Sequence, residues 1–281
     1  LLHDIAEYLA CPHCGADLAL TGSALRCTAG HSFDIARQGY ASLLPGDAHT
    51  GTGDTAAMVA ARDAFLGAGR YTPIADALAA ASAAALADAP QGGCVADLGA
   101  GTGYYLAAVL DRLPERLGVA LDISKYAVRR AARAHPRSGA VVCDAWRPLP
   151  LRDASAALVL NVFAPRNGPE IRRVLRPGGT LLVVSPTARH LQELVGPLGL
   201  LSVDEDKERR IAEKLDPHLT PGERREVQWT MELSRAEAQS VVAMGPSAWH
   251  TGEQRLAESL AGLPEPFAVT ASVTVSAYHR R

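Results

Sequence analysis

The chain has 281 residues, 48% of them hydrophobic and 21% charged, and a formal net charge of −2. That length accommodates one large domain and a small one, and the near-neutral balance excludes a globally basic nucleic-acid binder, so any surface for a polyanion must be local. No apolar run approaches the roughly 18 residues of a membrane span, no signal-peptide pattern opens the sequence, and the five cysteines do not resemble a secreted disulfide framework; a cytoplasmic protein is expected.

Residues 1–36 are mostly polar, with helical character only around Leu2–Leu9. They hold Cys11-Pro12-His13-Cys14 and, further on, Cys27 and His31. Two closely spaced pairs can present three thiolates and one imidazole to a single ion. Such a set is closed, leaving no position for water, so a structural zinc is expected. His13, between two ligands, is too crowded to be a fifth. A redox C-x-x-C is disfavoured by the second pair and by the absence of a preceding strand. A segment with so few apolar residues has little reason to fold without the metal.

Residues 37–54 read as a linker, rich in Gly, Thr and Asp around Pro45. The large domain is expected over 55–281. A helical pattern starts at Thr55 (Met58, Ala61, Phe65) and stops at Gly67 and Gly69. Pro73 suits the first turn of a second helix running through the alanine-rich Ala79–Ala89. Strands are then predicted near 94–98, 117–121, 139–143, 157–163 and 180–185, and helices near 103–112, 124–134, 169–175 and 188–198. The apolar runs are continuous rather than alternating, as in parallel strands covered on both faces. The fold class is therefore α/β, a doubly wound Rossmann-like sheet. Runs at Val227–Leu233 and Phe267–Ala277 can close it with an antiparallel strand.

Within the first of those strands and the turn after it stands Val95-Ala96-Asp97-Leu98-Gly99-Ala100-Gly101-Thr102-Gly103, followed by Tyr104. A strand feeding a glycine turn that opens a helix lets a ligand lie against the backbone. The spacing is G-x-G-x-G, with Tyr104 where the dinucleotide fingerprint places its last glycine. With Asp97 in front it resembles the S-adenosylmethionine (SAM) loop of Rossmann-like methyltransferases. Asp122 ends the second strand, where a carboxylate meets ribose hydroxyls, and Asp144 follows the third, placed for the adenine amino group. Both acids are equally suited to capping turns. A nucleoside-type cofactor is expected, with NAD as the alternative. Arg173-Val174-Leu175-Arg176-Pro177-Gly178-Gly179 adds a helix stop and turn similar to those of methyltransferases.

Two arginine clusters could meet phosphates: Arg129, Arg130, Arg133, His135 and Arg137, and Arg166, Arg172, Arg173 and Arg176. For any single one of them a solvated helix face is the competing reading. Further motifs are Phe33-Asp34, Arg37-Gln38-Gly39-Tyr40, Ala61-Arg62 with Phe65-Leu66, Gly69-Arg70-Tyr71-Thr72-Pro73, Asn161-Val162-Phe163-Ala164-Pro165, Arg189-His190-Leu191 and Met244-Gly245-Pro246-Ser247-Ala248-Trp249. Together with the metal module they resemble the 23S rRNA guanine-N1 methyltransferases, over nearly the whole chain. The chain is more similar to the tylosin-resistance branch of antibiotic-producing actinomycetes.

The resemblance implies methyl transfer from SAM to N1 of guanosine 748, in a 23S rRNA hairpin near the peptide exit tunnel, with macrolide resistance as the phenotype. It implies zinc ligands at Cys11, Cys14, Cys27 and His31 in an RNA-recognition module, SAM contacts at Tyr71, Gly101–Gly103 and His190, and a homodimer. Without it, Tyr71 reads as a buried aromatic and His190 as a helix-face residue.

Guanine N1 carries a proton, so the enzyme must remove it or stabilise the anion through O6, and positioning does much of the rest. The base must also leave its stack. Asn161 could hydrogen-bond its Watson–Crick edge and Trp249 could stack on it. No general base is identified; Asp144 and His190 are both candidates, and holding SAM is the competing role of each. A methyltransferase of a small metabolite such as a macrolide, and a non-catalytic ribosome-binding protein, are the alternatives.

Overall fold

A computed structural model describes residues 2–48, 53–198, 206–244, 258–259, 261–262 and 265–280. The N-terminal part opens with α1 (Leu2–Ile5) and a helical turn at Ala6–Tyr8, followed by a small antiparallel sheet of β1 (Leu18–Thr21), β2 (Ala24–Cys27) and β3 (Ser32–Asp34). Then comes β4 (Tyr40–Ser42). The large domain carries α2 (Ala56–Gly67), α3 (Thr72–Leu86), β5 (Cys94–Leu98), α4 (Tyr104–Arg112), β6 (Gly118–Asp122), α5 (Lys125–Ala131), β7 (Ser138–Val142), β8 (Ala156–Val162), α6 (Gly168–Val174), β9 (Leu175–Pro186) and α7 (Gln192–Leu198). It ends with α8 (Lys207–Leu215), β10 (Thr220–Leu233), α9 (Arg235–Ala243) and β11 (Phe267–His279).

The large sheet has the order β10-β11-β9-β8-β5-β6-β7-β4. β11 runs antiparallel between β9 and β10, while β4 to β9 are mutually parallel. Chain order reverses between β5 and β8, the switch point where open α/β sheets bind ligands. The continuous apolar runs behave as expected: every residue of β5, β7 and β8 is buried.

The helix starts follow their caps. Thr55 accepts at its side chain from the Met58 N–H, Ser124 does the same for Ala127, and Ser234 with Glu237 forms a reciprocal pair before α9. Pro73 sits in the first turn of α3.

The expected linker over 37–54 is partly structured, which corrects that reading for its first residues. Tyr40–Ser42 pairs in parallel with Ala140–Val142, adding an eighth strand. The N-terminal module is thereby stitched to the large domain. Leu9 bridges to Leu151, the Arg152 N–H donates to the Tyr8 carbonyl at 2.9 Å, and Arg152 pairs with Asp17 at 2.8 Å. Ile5, Leu9, Leu25 and Phe33 share one apolar cluster with Val119, Val141 and Leu151.

Two further expectations change. α8 was not anticipated, because Lys207–Leu215 is dominated by charged residues. The arginine clusters are consumed only in part by the fold, and Arg129, Arg133 and Arg172 stay exposed. Arg137 donates to the carbonyls of Leu113, Arg116 and Leu110, and buried His135 pairs with Asp111. Arg173 is held by Glu170, Asp153 and two carbonyls, Arg176 reaches the Gly92 carbonyl, and Arg130 pairs with Asp63.

Candidate active site and metal centre

The metal-ligand candidates converge. Cys11, Cys14, Cys27 and His31 bring their ligand atoms within 4.8 Å of one another. Cys14 Sγ lies 3.7 Å from Cys27 Sγ, and His31 Nδ1 lies 3.5 and 3.4 Å from Cys11 Sγ and Cys27 Sγ. Tetrahedral zinc with bonds of about 2.3 Å to sulfur and about 2.0 Å to nitrogen puts such ligands roughly 3.8 and 3.5 Å apart, so the cluster has the right size. Each pair is wound on a glycine turn: Gly15 N–H donates to Cys11 O and Gly30 N–H to Cys27 O, at φ of 72° and 87°. Burial raises the Cys27 thiol, but N–H donors of His31 and Ala29 outweigh it and bring it down to about 6, which favours the thiolate that a metal needs. His13 stands aside, stacked on Phe33 with ring centroids 5.7 Å apart.

A cavity of about 820 Å³ opens at the C-terminal ends of β5 to β8. Tyr71, Gly99, Gly101, Thr102, Tyr104, Asp122, Asp144 and His190 all line it. Asp97, Gly103 and Asn161 are buried and do not line it. Gly99, Gly101 and Gly103 have φ of 72°, 56° and 82°, so the turn requires a residue tolerant of the left-handed region at each. At Gly99 the need is also spatial: a Cβ would lie 2.6 Å from that of Ala164. At Gly101 it would meet only the Arg62 side chain, at 3.5 Å, so this glycine presents bare backbone on the cavity side.

Asp122 accepts the N–H groups of Gly101 and Ser124, both at 2.8 Å, which aims its carboxylate beside the turn. Burial raises its pKa against those two donors. Asp97 is buried beneath the turn with neither carboxylate oxygen partnered. Burial, with Asp122 nearby, pushes it up to about 8. Such a buried, unpartnered carboxyl keeps its proton in the ligand-free protein, and a positive charge bound beyond the turn would favour its ionised form.

Tyr71 Oη and His190 Nε2 are 3.1 Å apart, and His190 Nδ1 accepts the Ser272 N–H at 3.2 Å. Because Nδ1 is an acceptor, the ring proton is assigned to Nε2, which donates to Tyr71. The tyrosine hydroxyl proton then remains for another acceptor. Phe163, at φ 54°, and Leu191, at φ 58°, flank this pair. Both line the cavity, and left-handed backbone at non-glycine residues clusters at functional sites.

Asn161 is fully buried. Its Nδ2 donates to the Pro165 carbonyl at 2.7 Å, which ties it to the loop after β8, while its Oδ1 has no protein partner. Trp249 lies outside the described residues. Arg62 and Trp146 are among the further lining residues. Arg62 joins Asp54 to the Met244 carbonyl across the wall, and Trp146 stands at the rim. The Arg62 signal was present in the Ala61-Arg62 motif; the Trp146 signal was an isolated aromatic two residues after Asp144.

The sheet order, the glycine turn and the cavity at the switch point define a class I SAM-dependent methyltransferase, here with an N-terminal zinc ribbon. Residues 9–50 match the family model described as "RlmA, N-terminal", a zinc ribbon, and residues 95–179 match "Methyltransferase domain". The chain is 53% identical to a "Putative 23S rRNA (guanine-N(1)-)-methyltransferase" of Micromonospora griseorubida, covering 98% of each chain. It is 52% identical to the "23S rRNA (guanine(748)-N(1))-methyltransferase" of Streptomyces fradiae over 96% of each. A Bacillus subtilis relative of the same description is 32% identical over 66% of each. The chain belongs to the 23S rRNA (guanine-N1)-methyltransferase family.

Proposed function

We propose that this protein transfers a methyl group from SAM to N1 of a guanosine in 23S rRNA, at position 748 as named for the Streptomyces fradiae relative. The observation that carries this reading is the near-full-length identity to that enzyme, joined to an intact glycine turn and cavity.

In this reading Asp122, pinned by two N–H donors, receives the ribose hydroxyls, and Asp144 and the Gly99–Gly103 backbone line the nucleoside. Asp97 faces positive charge from beneath the turn. The Tyr71 hydroxyl, oriented by His190, donates to an acceptor in the cavity. When bound, SAM supplies an electrophilic methyl on a sulfonium, so the protein's main task is to align the attacking nitrogen and exclude water. Cys11, Cys14, Cys27 and His31 hold a structural zinc that lets the ribbon fold and contact RNA. A homodimer, a cytoplasmic setting and resistance to tylosin-type macrolides belong to the same reading.

The test is transfer of labelled methyl from SAM to unmodified 23S rRNA, followed by primer extension. N1-methylation blocks pairing, so reverse transcription is expected to stop beside guanosine 748. Label that survives RNase and extracts with a small metabolite refutes the reading.

A further inference from the structure

Trp146 is the most exposed large apolar side chain among the described residues, at 58%, yet it stands on the rim of the catalytic cavity. Its loop is braced on three sides. The Trp146 N–H donates to Asp144 Oδ1 at 2.9 Å, Asn167 donates to the Ala145 carbonyl at 3.2 Å, and Arg147 grips Asp47 through contacts of 2.9 to 3.1 Å. Leu149 N–H is held by Glu170 at 2.7 Å. The indole is therefore presented from a fixed backbone, which is what a recognition surface needs. Facing it across the rim, α8 places the Lys214 ammonium 5.0 Å from the ring centroid. The charged lining residues from α8 and from the loop after β8 are Arg166, Arg210 and Lys214, all basic.

An exposed aromatic face beside a run of cations fits an unstacked nucleotide: the base has a π-face to stack and the backbone a charge to neutralise. We propose that Trp146 is a stacking platform for a nucleobase of the rRNA at the mouth of the cavity, with Lys214 contacting the adjoining phosphate. This rests on the RNA methyltransferase reading above and adds the contact that brings the base in. The competing use for the ring is as a cover for the cofactor's adenine, since Asp144 is its neighbour.

The experiment uses the full-length protein, wild type and the variants Trp146→Ala, Trp146→Phe and Lys214→Met. It measures methyl transfer to a 23S hairpin transcript at several salt concentrations, and SAM affinity by calorimetry. Stacking on one base is worth about 1–3 kcal/mol, so Trp146→Ala is expected to raise the KM for RNA by roughly 5- to 150-fold with SAM affinity and melting temperature unchanged. Trp146→Phe is expected to recover most of the loss. Lys214→Met is expected to reduce the salt slope by about one. A weaker SAM affinity in Trp146→Ala overturns the proposal in favour of an adenine cover. An unchanged KM beside an active wild type overturns it outright. A wild type that methylates no RNA instead defeats the reading on which the proposal rests.

Discussion

The ribbon and the large sheet reach order by opposite routes. β8 contributes seven successive buried residues, whereas β1 buries one of four and β3 one of three. The sheet is held by apolar burial at about 25 cal/mol per Å². The ribbon has three short strands that lean on the large domain through Leu9, Leu25 and Phe33, and a metal at its four converging residues is expected to supply much of the rest. The lesson is that exposure alone marks a residue as expendable in neither region, and in the ribbon the exposed Cys14 belongs to the converging metal set.

Cys14→Ser sharpens this most. Cys14 is exposed, and a surface change ordinarily costs within about 0.5 kcal/mol. As a ligand of a site worth roughly 10–16 kcal/mol, it should instead abolish stoichiometric zinc and leave the ribbon open to protease. Metal analysis with limited proteolysis decides, and a protease-resistant variant would show that the ribbon folds on its own apolar contacts.

Next in size is Gly99→Ala, in the sheet region. A Cβ 2.6 Å from that of Ala164, on backbone at φ 72°, is expected to cost about 1–3 kcal/mol and at least tenfold in SAM affinity. Urea unfolding and calorimetry measure the two effects. Unaltered SAM binding would separate the turn from the cofactor.

Asp97 gives a pH signature opposite in sign to that of the lowered Cys27 thiol in the ribbon. Its folded pKa, about 8, lies above the ordinary 3.8, so the ligand-free protein holds a proton that the unfolded chain has released. Its contribution makes stability fall as pH rises from about 4 to about 8 and stay level above. Asp97→Asn removes that dependence. The variant should therefore gain on wild type across this window, read as urea midpoints from about pH 5 to pH 9. Parallel curves would mean that Asp97 is already ionised in the folded protein.

The smallest effect is expected from Tyr71→Phe. It deletes the acceptor for His190 Nε2 and the hydroxyl donor to the cavity, costing about 0.5–1.5 kcal/mol in stability and a few-fold in SAM affinity. Full retention of both would leave His190 without an orienting role.

What could be read in advance follows the same division. The strands predicted at 94–98, 117–121, 139–143 and 157–163 fall within a residue of β5 to β8, because both faces are covered and the apolar code is uninterrupted. The convergence of Cys11, Cys14, Cys27 and His31 was legible from their spacing. β4 was not: three residues in a polar stretch pair with a strand about a hundred positions away, and nothing local encodes that partner. α8 was missed because its apolar stripe is only Ile211 and Leu215, set among charged residues. With it went the mouth of the cavity, where Lys214 meets Trp146. The arginine clusters misled for a related reason, since sequence does not reveal that Arg137 and Arg173 are spent on carbonyls.

β4 also has a bearing on how the protein must be handled. A sheet has two borders, and here they are guarded differently. The β10 border carries Glu223, Arg224, Arg225 and Glu226, charges that discourage another strand from docking. The other border is only three residues deep, and behind it lies β7, wholly buried and without a single charge. β4 follows directly on the ribbon, with Ile35 bridged to Ala41. Stripping the metal therefore loosens the flap over an adhesive strand, and a chelated sample is expected to self-associate there before the large domain melts.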